Sequence, residues 1–194
     1  CPVKPLGMQA YGHLPHLPGS QTGPGDHTAE PGQAAICTVA ARYGDHVSVR
    51  IKLDGSCVSV ARINGVAVPL IRAGYLATAS PRRQHHLFAE WVDENRGRFL
   101  GLLRDGERVV GEWLIQAHGT RYDLPHEPFV AFDIMRAQEK RPKLQERASF
   151  DELSDRIGDR FVMPEVLWVG DDTCLPEARA YSIDDADEDL ALKR

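Results

Sequence analysis

The sequence predicts an α+β fold built on an antiparallel β-sheet. Several short runs alternate apolar and polar residues and are separated by Asp-Gly and Asn-Gly dipeptides, which is typical of half-buried strands joined by tight turns. One longer stretch in the middle of the chain repeats its apolar residues at helical spacing. With 194 residues, of which 42% are hydrophobic, the chain is long enough to bury the core of one ordinary domain.

The first alternating runs predict an antiparallel meander. Asp54-Gly55 and Asn64-Gly65 separate the runs, and both dipeptides favour hairpin turns because their residues tolerate a positive φ. Lys52 stands at the end of the first run, where its side chain points away from the apolar face of that strand. The three predicted strands span residues 47–51, 58–62 and 66–70.

Two helical regions and three more strands are predicted further along the chain. Apolar residues from Phe88 to Leu103 follow a helical repeat with Gly97 as an interruption, which predicts one bent helix or two short ones. Ser149 and Glu152 form a capping box, so a helix is expected to begin there. The apolar runs predicted as strands span residues 107–116, 127–135 and 161–170.

The two ends of the chain differ in composition from its middle. Residues 1–34 are rich in proline and glycine, which predicts an irregular arm packed on a domain of residues 35–183. Residues 184–194 contain five acidic and two basic side chains and so carry −3 of the formal net charge of −5. Because this acidic tail holds most of the excess charge, the net charge does not exclude a nucleic-acid partner.

The sequence predicts a cytoplasmic protein without a membrane partner. It has no run of about 18 apolar residues, and its first residues lack the pattern of an export signal. The four cysteines lie far apart with no CxxC spacing, which favours reduced thiols over a zinc knuckle or a redox pair. The pattern assigns no metal ligands and leaves the oligomeric state open.

The segment KLDGS, at residues 52–56, is the most informative for chemistry. A lysine just before a tight Asp-Gly turn can project its amine into a cleft, while the turn gives a phosphate close access to backbone N–H groups. By itself the motif is weak, because Asp-Gly is also a common hairpin turn.

Three further segments follow KLDG in an informative order. They are RAG at Arg72, GEW with Glu112 and FVAFDIM with Phe132. Together the four segments resemble the ordered motifs of the covalent nucleotidyltransferase superfamily and, within it, of the ATP-dependent RNA ligases. The segments PLGMQAYGHLPHLPGS and GEWLIQAHGTRYDL resemble a bacterial branch of RNA ligase-like proteins. The resemblance implies an antiparallel-sheet nucleotidyltransferase domain, that is, an ATP-grasp-like ligase adenylation domain.

The resemblance also implies a reaction and its partners. Lys52 would be the nucleophile that attacks the α-phosphorus of ATP, giving lysyl-AMP and releasing pyrophosphate. AMP would then pass to an RNA 5′-phosphate, onto which an RNA 3′-hydroxyl is sealed. The implied cofactors are ATP and Mg²⁺, and the implied partners are RNA ends.

Other motif residues receive roles by the same resemblance. Asp54 and Gly55 would shape the loop of the nucleophile, with Asp54 meeting the water shell of the metal. Arg72 would contact phosphate, for which its forked donors are suited. Glu112 would accept a hydrogen bond from a ribose hydroxyl, and Phe132 would cover one face of the adenine.

Departures from the family pattern leave two alternatives open. Ile51 and Cys57 stand where an acidic residue and an asparagine are common, and no EGxV-like fourth motif or K-x-K fifth motif is found. One alternative is therefore a truncated or degenerate domain, lacking its last strands, that binds nucleotide or RNA ends without catalysis. The other is an unrelated α+β fold in which KLDG is only a turn and the motif residues do not meet.

Overall fold

The computed structural model describes residues 3–19, 27–36, 47–116, 122–138 and 141–170. They form two compact units. The sheet unit comprises the described residues of Cys1–Gly12 and Leu53–Pro164, and the small unit comprises those of His13–Lys52 and Glu165–Arg194. The predicted acidic tail, residues 184–194, lies outside the described residues.

The small unit contains one helix and one pair of antiparallel strands. The helix is α1 (Pro31–Ile36), and the strands are β1 (Val47–Arg50) and β7 (Val166–Gly170). Beyond β1, the N–H of Ile51 donates to the carbonyl of Glu165 at 3.0 Å, which ties the chain to the residue before β7.

The sheet unit is built on a five-stranded antiparallel sheet, which confirms the predicted fold class. The strands in spatial order are β3 (Val66–Ile71), β2 (Ser56–Ile63), β4 (Arg108–Trp113), β5 (Phe129–Gln138) and β6 (Arg141–Arg147). A 3₁₀ turn (Ala77–Ala79) and three helices complete the unit: α2 (Arg83–Glu94), α3 (Arg96–Leu102) and α4 (Phe150–Ile157). In the described part of the chain, no helix has the length and apolarity needed to cross a membrane.

One face of the sheet carries the main hydrophobic core. Alternate residues of β2 and β4, such as Val58, Val60 and Val109, are completely buried against residues of α2, α3 and α4. Aromatic rings fill the space between sheet and helices, with the Phe88 and Trp113 ring centroids 5.3 Å apart in an edge-on arrangement. Because the helices pack on this face, the alternating residues of the same strands point to the opposite face.

The N-terminal strap, defined as residues 3–12, lies on that opposite face. Ala10 forms a second, small buried cluster with Ala61 of β2 and Leu70 of β3. The backbone N–H groups of Ala10 and Tyr11 donate to the carbonyl of Arg72 at 3.0 and 3.2 Å. The strap therefore covers part of the face while leaving the Arg72 end of β3 at its border.

A β-bulge in β5 decides which side chains reach each face. Val110 of β4 pairs with Asp133, but the next residue, Gly111, pairs with Ala131, so β5 contains one extra residue. Phe129 and Ala131 before the bulge and Ile134 after it all belong to the main core. Without the extra residue, the period of two would direct the carboxylate of Asp133 into the aromatic core.

The sequence located the β2–β3 hairpin but misplaced the first strand. Asn64 and Gly65 have φ angles of 50° and 77° and join β2 to β3, as predicted. The predicted meander is wrong in its first step, because β1 pairs with β7 and not with β2. Asp54-Gly55 therefore does not close a hairpin, and side chains from elsewhere in the chain accept hydrogen bonds from the backbone N–H groups of this turn.

The helices agree with the sequence patterns. The stretch around Gly97 forms two short helices, one of the two predicted arrangements, although the break falls at Asn95, whose side-chain amide donates to the Trp91 carbonyl at 2.9 Å. Helix α4 begins after Ser149, and the Ser149 hydroxyl accepts a hydrogen bond from the Glu152 N–H at 3.2 Å. This is the cap that the sequence predicts.

Replacing Gly111 with alanine should strongly destabilise the fold. A Cβ at this position would lie 2.7 Å from the Val130 carbonyl oxygen and would overlap the Phe129 ring. We expect Gly111→Ala to lower the free energy of unfolding by about 1–3 kcal/mol, the usual range for overpacking a core. Gly101→Ala is the matched control, since a Cβ there meets nothing within 4 Å and alanine favours the helix. Equal unfolding free energies for the two variants in denaturant titrations would contradict the packing argument.

Candidate active site

Most of the predicted site residues lie in the sheet unit. Five of the six belong to it: Asp54, Gly55, Arg72, Glu112 and Phe132. Lys52 ends the first of the two chain segments that make up the small unit, and it is exposed.

A hydrogen bond brings two of the predicted motifs together. The N–H of Gly55, in KLDG, donates to the Oε1 atom of Glu112, in GEW, at 3.0 Å. The approach is close, because a Cβ on Gly55 would lie 2.7 Å from the carbonyl oxygen of Trp113. Glu112 also lies opposite Cys57 in the β2–β4 ladder, so their side chains share the face that carries the strap. Only a glycine lets this loop come so near to β4.

Charged groups surround the thiol of Cys57. Burial raises the pKa of this half-buried thiol to about 12, and the carboxylates of Glu112 and Asp133 contribute to the rise. The guanidinium of Arg72 acts in the opposite direction. The charges of Arg72, Glu112 and Asp133 therefore lie close enough to Cys57 to affect its pKa.

Arg72 is held by the strap and keeps one buried donor. Its Nη2 atom donates to the carbonyl of Gly12 at 3.0 Å, and its own carbonyl accepts from the strap backbone. Its Nε atom is buried and has no hydrogen-bond partner among the described residues. A buried donor without an acceptor is unfavourable, so this nitrogen is suited to donate a hydrogen bond to an oxygen atom of a ligand.

Phe132 lies at the bulge of β5 beside a buried polar network. Asp133 is 3% exposed, and its carboxylate accepts a hydrogen bond from the hydroxyl of Tyr11 and forms an ion pair with Nε of Arg147 at 3.0 Å. Arg147 also donates from Nη2 to the Tyr11 hydroxyl at 2.9 Å. Burial raises the pKa of the Tyr11 phenol, and the Asp133 carboxylate adds to this effect, so the phenol remains protonated at neutral pH.

Asp54 is exposed at the rim of this region. Its backbone N–H donates to the hydroxyl of Tyr122 at 2.8 Å. Within the described ranges, no group of three or more histidine, cysteine, aspartate and glutamate side chains is placed to hold a metal ion. A divalent metal here would need oxygen ligands from a bound substrate in addition to one or two carboxylates, which is common for Mg²⁺.

Sequence reasoning missed the residues that surround the motifs. Tyr11, Tyr122, Asp133 and Arg147 contact predicted site residues or their neighbours, yet none was singled out as a site residue. Asp133 offered a signal, since a carboxylate inside the apolar run FVAFDIM requires a partner. Tyr11 offered none, because its partner Asp133 lies 122 positions away.

Comparison with known proteins gives one family and several related folds. The RNA ligase family model matches residues 45–190. No curated protein matches the chain. A lysine-to-alanine mutant of Naegleria gruberi RNA ligase, solved with ATP and Mn, is similar with a TM-score of 0.51 and 18% identity over 69% of this chain and 40% of that chain. An apo mutant of the same ligase gives a TM-score of 0.50 and 20% identity, again over 69% and 40%.

An archaeal ATP-dependent RNA ligase is also similar, with a TM-score of 0.44 and 18% identity over 72% of this chain and 35% of that one. The two Naegleria structures show a shared fold. The chain spans 40% of the length of those structures.

The raised pKa of Cys57 predicts slow alkylation of this thiol. With a pKa of about 12, only about one Cys57 in ten thousand is a thiolate at pH 8, compared with about a quarter for an ordinary thiol. We expect iodoacetamide to modify Cys57 about a thousandfold more slowly in the native protein than in urea, as followed by peptide mass spectrometry. The native rate should stay low up to pH 9. Equal native and denatured rates at pH 8 would show that the thiol is not buried among these charges.

Proposed function

Because the chain belongs to the RNA ligase family, we propose that it forms a lysyl-AMP intermediate from ATP and joins or repairs RNA ends. The hydrogen bond between Gly55 and Glu112 is the observation that carries this proposal, since it unites two motifs 57 positions apart in the sequence. Such a union is expected if KLDG and GEW serve one ligand, and it is unexpected if KLDG is only a surface turn.

Lys52 is the proposed nucleophile. It precedes Asp54 by two positions and Gly55 by three, so the amine and the loop belong to one short segment. The amine nitrogen forms a bond to the α-phosphorus of ATP as it loses its proton, and the bond from that phosphorus to the bridging oxygen breaks. Pyrophosphate leaves with the electron pair. The product is a phosphoramidate of AMP on Lys52.

Two further transfers complete the proposed reaction. An oxygen of an RNA 5′-phosphate attacks the phosphorus of the bound AMP, and the nitrogen of Lys52 leaves and regains a proton. The 3′-hydroxyl of a second RNA end then attacks the activated 5′-phosphate and releases AMP.

The geometry supports separate roles for three residues of the sheet unit. Arg72 is proposed to bind a phosphate oxygen, since its buried Nε lacks an acceptor within the described residues. Glu112 is proposed to accept a hydrogen bond from a ribose hydroxyl while it holds the loop through Gly55. Phe132 is half-buried and is proposed to cover one face of the adenine.

Mg²⁺ fits this donor set as an ion carried by the substrate. The exposed carboxylate of Asp54 would meet its water shell, and the phosphates would provide the remaining oxygen ligands. When bound, the ion supplies positive charge that offsets the charge of the triphosphate.

Replacing Lys52 with alanine should abolish covalent labelling by ATP. Incubation with ATP labelled in the α-phosphate should attach one AMP to the unmodified chain, located at Lys52 by peptide mass spectrometry. The control is Lys193→Ala, which removes a lysine outside the four motifs, and it should be labelled normally. If ATP binds but no adduct forms on the unmodified chain, the alternative of a binding module without catalysis is correct. If ATP neither binds nor labels the chain, both proposals are wrong.

Replacing Glu112 with alanine should reduce discrimination for the sugar. Affinities are compared in the Lys52→Ala background, in which ATP is not consumed. If Glu112 accepts a hydrogen bond from a ribose hydroxyl, this chain should bind ATP more tightly than the deoxy-ATP that lacks that hydroxyl, by about tenfold or more. Glu112→Ala should weaken ATP binding and bring the two affinities together. Calorimetric titrations with 2′-deoxy-ATP and 3′-deoxy-ATP identify the hydroxyl. An unchanged ratio for both analogues would remove Glu112 from this role.

A further inference from the structure

The N-terminal strap contacts all five strands of the sheet. Leu6 and Ala10 pack on β2 and β3, and the carbonyl of Ala10 accepts from Nε of Arg108 on β4 at 2.6 Å. Tyr11 reaches farther, to Asp133 on β5 and Arg147 on β6. With so many strands holding it, this segment has a defined position at the border of the candidate site.

The hydroxyl of Tyr11 completes a closed polar network. It donates to the Asp133 carboxylate and accepts from Arg147, while Arg147 also pairs directly with Asp133. The carboxylate is buried, so each donor that faces it offsets part of its lost hydration. Removing the hydroxyl would leave Asp133 with one donor fewer and would release the Tyr11 ring from its anchor.

The ring of Tyr11 also contacts Phe132. The two ring centroids are 5.5 Å apart and the planes are inclined by 71°, an edge-on aromatic contact. Phe132 is the neighbour of Asp133 in the bulge, so Tyr11 holds both the side chain and the backbone segment that carries it. A phenylalanine at a bulge has a ring direction that depends on what packs beside it.

We propose that Tyr11 is a positioning residue for Phe132, so that the N-terminal strap sets how firmly the base of ATP is held. The inference rests on the proposed function, because it assigns Phe132 to the adenine. Tyr11 itself need not touch the nucleotide. Because Tyr11 acts through Phe132, its substitution should lower the affinity for ligands that carry the base and leave the binding of the phosphates unchanged.

The test compares ATP with ribose 5-triphosphate, which has the same phosphates and sugar but no base. Affinities are measured by calorimetry in the Lys52→Ala background, in which ATP is not consumed. Tyr11→Phe keeps the ring and removes the hydroxyl, and it should weaken ATP binding about threefold to tenfold. Binding of ribose 5-triphosphate should stay unchanged. Tyr75→Phe, which removes a tyrosine hydroxyl from a residue outside the network, should affect neither ligand.

A double-mutant cycle with Phe132→Leu tests the route of the effect. If Tyr11 acts through Phe132, adding Tyr11→Phe to Phe132→Leu should weaken ATP binding by less than twofold more. Three outcomes would overturn the inference while the proposed function stands. They are additive losses of ATP affinity in the double mutant, equal losses of affinity for ATP and ribose 5-triphosphate in Tyr11→Phe, and an unchanged ATP affinity in Tyr11→Phe. If the Lys52→Ala chain and the unmodified chain both fail to bind ATP, the proposed function fails first and the inference fails with it.

Discussion

The candidate site depends on the close approach of the Gly111 backbone to the ring of Phe129. This approach accompanies the extra residue in β5, and the extra residue reverses the alternation of side chains halfway along that strand. As a result Ile134 enters the aromatic core while the carboxylate of Asp133 joins Tyr11 and Arg147 on the other face. The extra residue in β5, which lies where Gly111 has no side chain to meet the Phe129 ring, thus separates an apolar face that holds the helices from a polar face that can meet a ligand.

Charge is arranged differently at the two ends of the sheet unit. Near the start of β4, Glu107 is buried and Arg156 binds it at 2.5 Å, while Arg136 binds Glu152 at 2.6 Å. Burial would raise the pKa of Glu107, but the hydrogen bonds from Arg156 and the Arg104 backbone outweigh it, and the pKa is lowered. These charges compensate one another and tie α4 to the sheet. Near Cys57, Arg72 donates from Nη2 to a backbone carbonyl of the strap and keeps a buried Nε without a hydrogen-bond partner in the described part of the chain.

Local patterns predicted those parts of the fold that local interactions decide. The Asn64-Gly65 hairpin and the Ser149 cap each depend on neighbouring residues, and both form as expected. Strand β6 was missed because its sequence, RPKLQER, is charged and has no alternation of apolar residues. The turn at Asp54-Gly55 was misread since its hydrogen bonds go to Tyr122 and Glu112, which no local rule can select. In the same way, the motifs predicted Phe132 as a site residue, but the contact of Tyr11 with Phe132 joins distant parts of the sequence and is seen only in the folded chain.

Burial of Cys57 slows the oxidation of its thiol. Oxidation by peroxide begins with the thiolate, so a thiol whose pKa is about 12 is nearly inert to it at neutral pH. A sulfenic or sulfinic acid at this position would add polar oxygen beside Glu112, the residue opposite Cys57 in the β2–β4 ladder. Burial and the nearby carboxylates therefore keep a sulfur atom of the polar face in the thiol form, which peroxide attacks slowly.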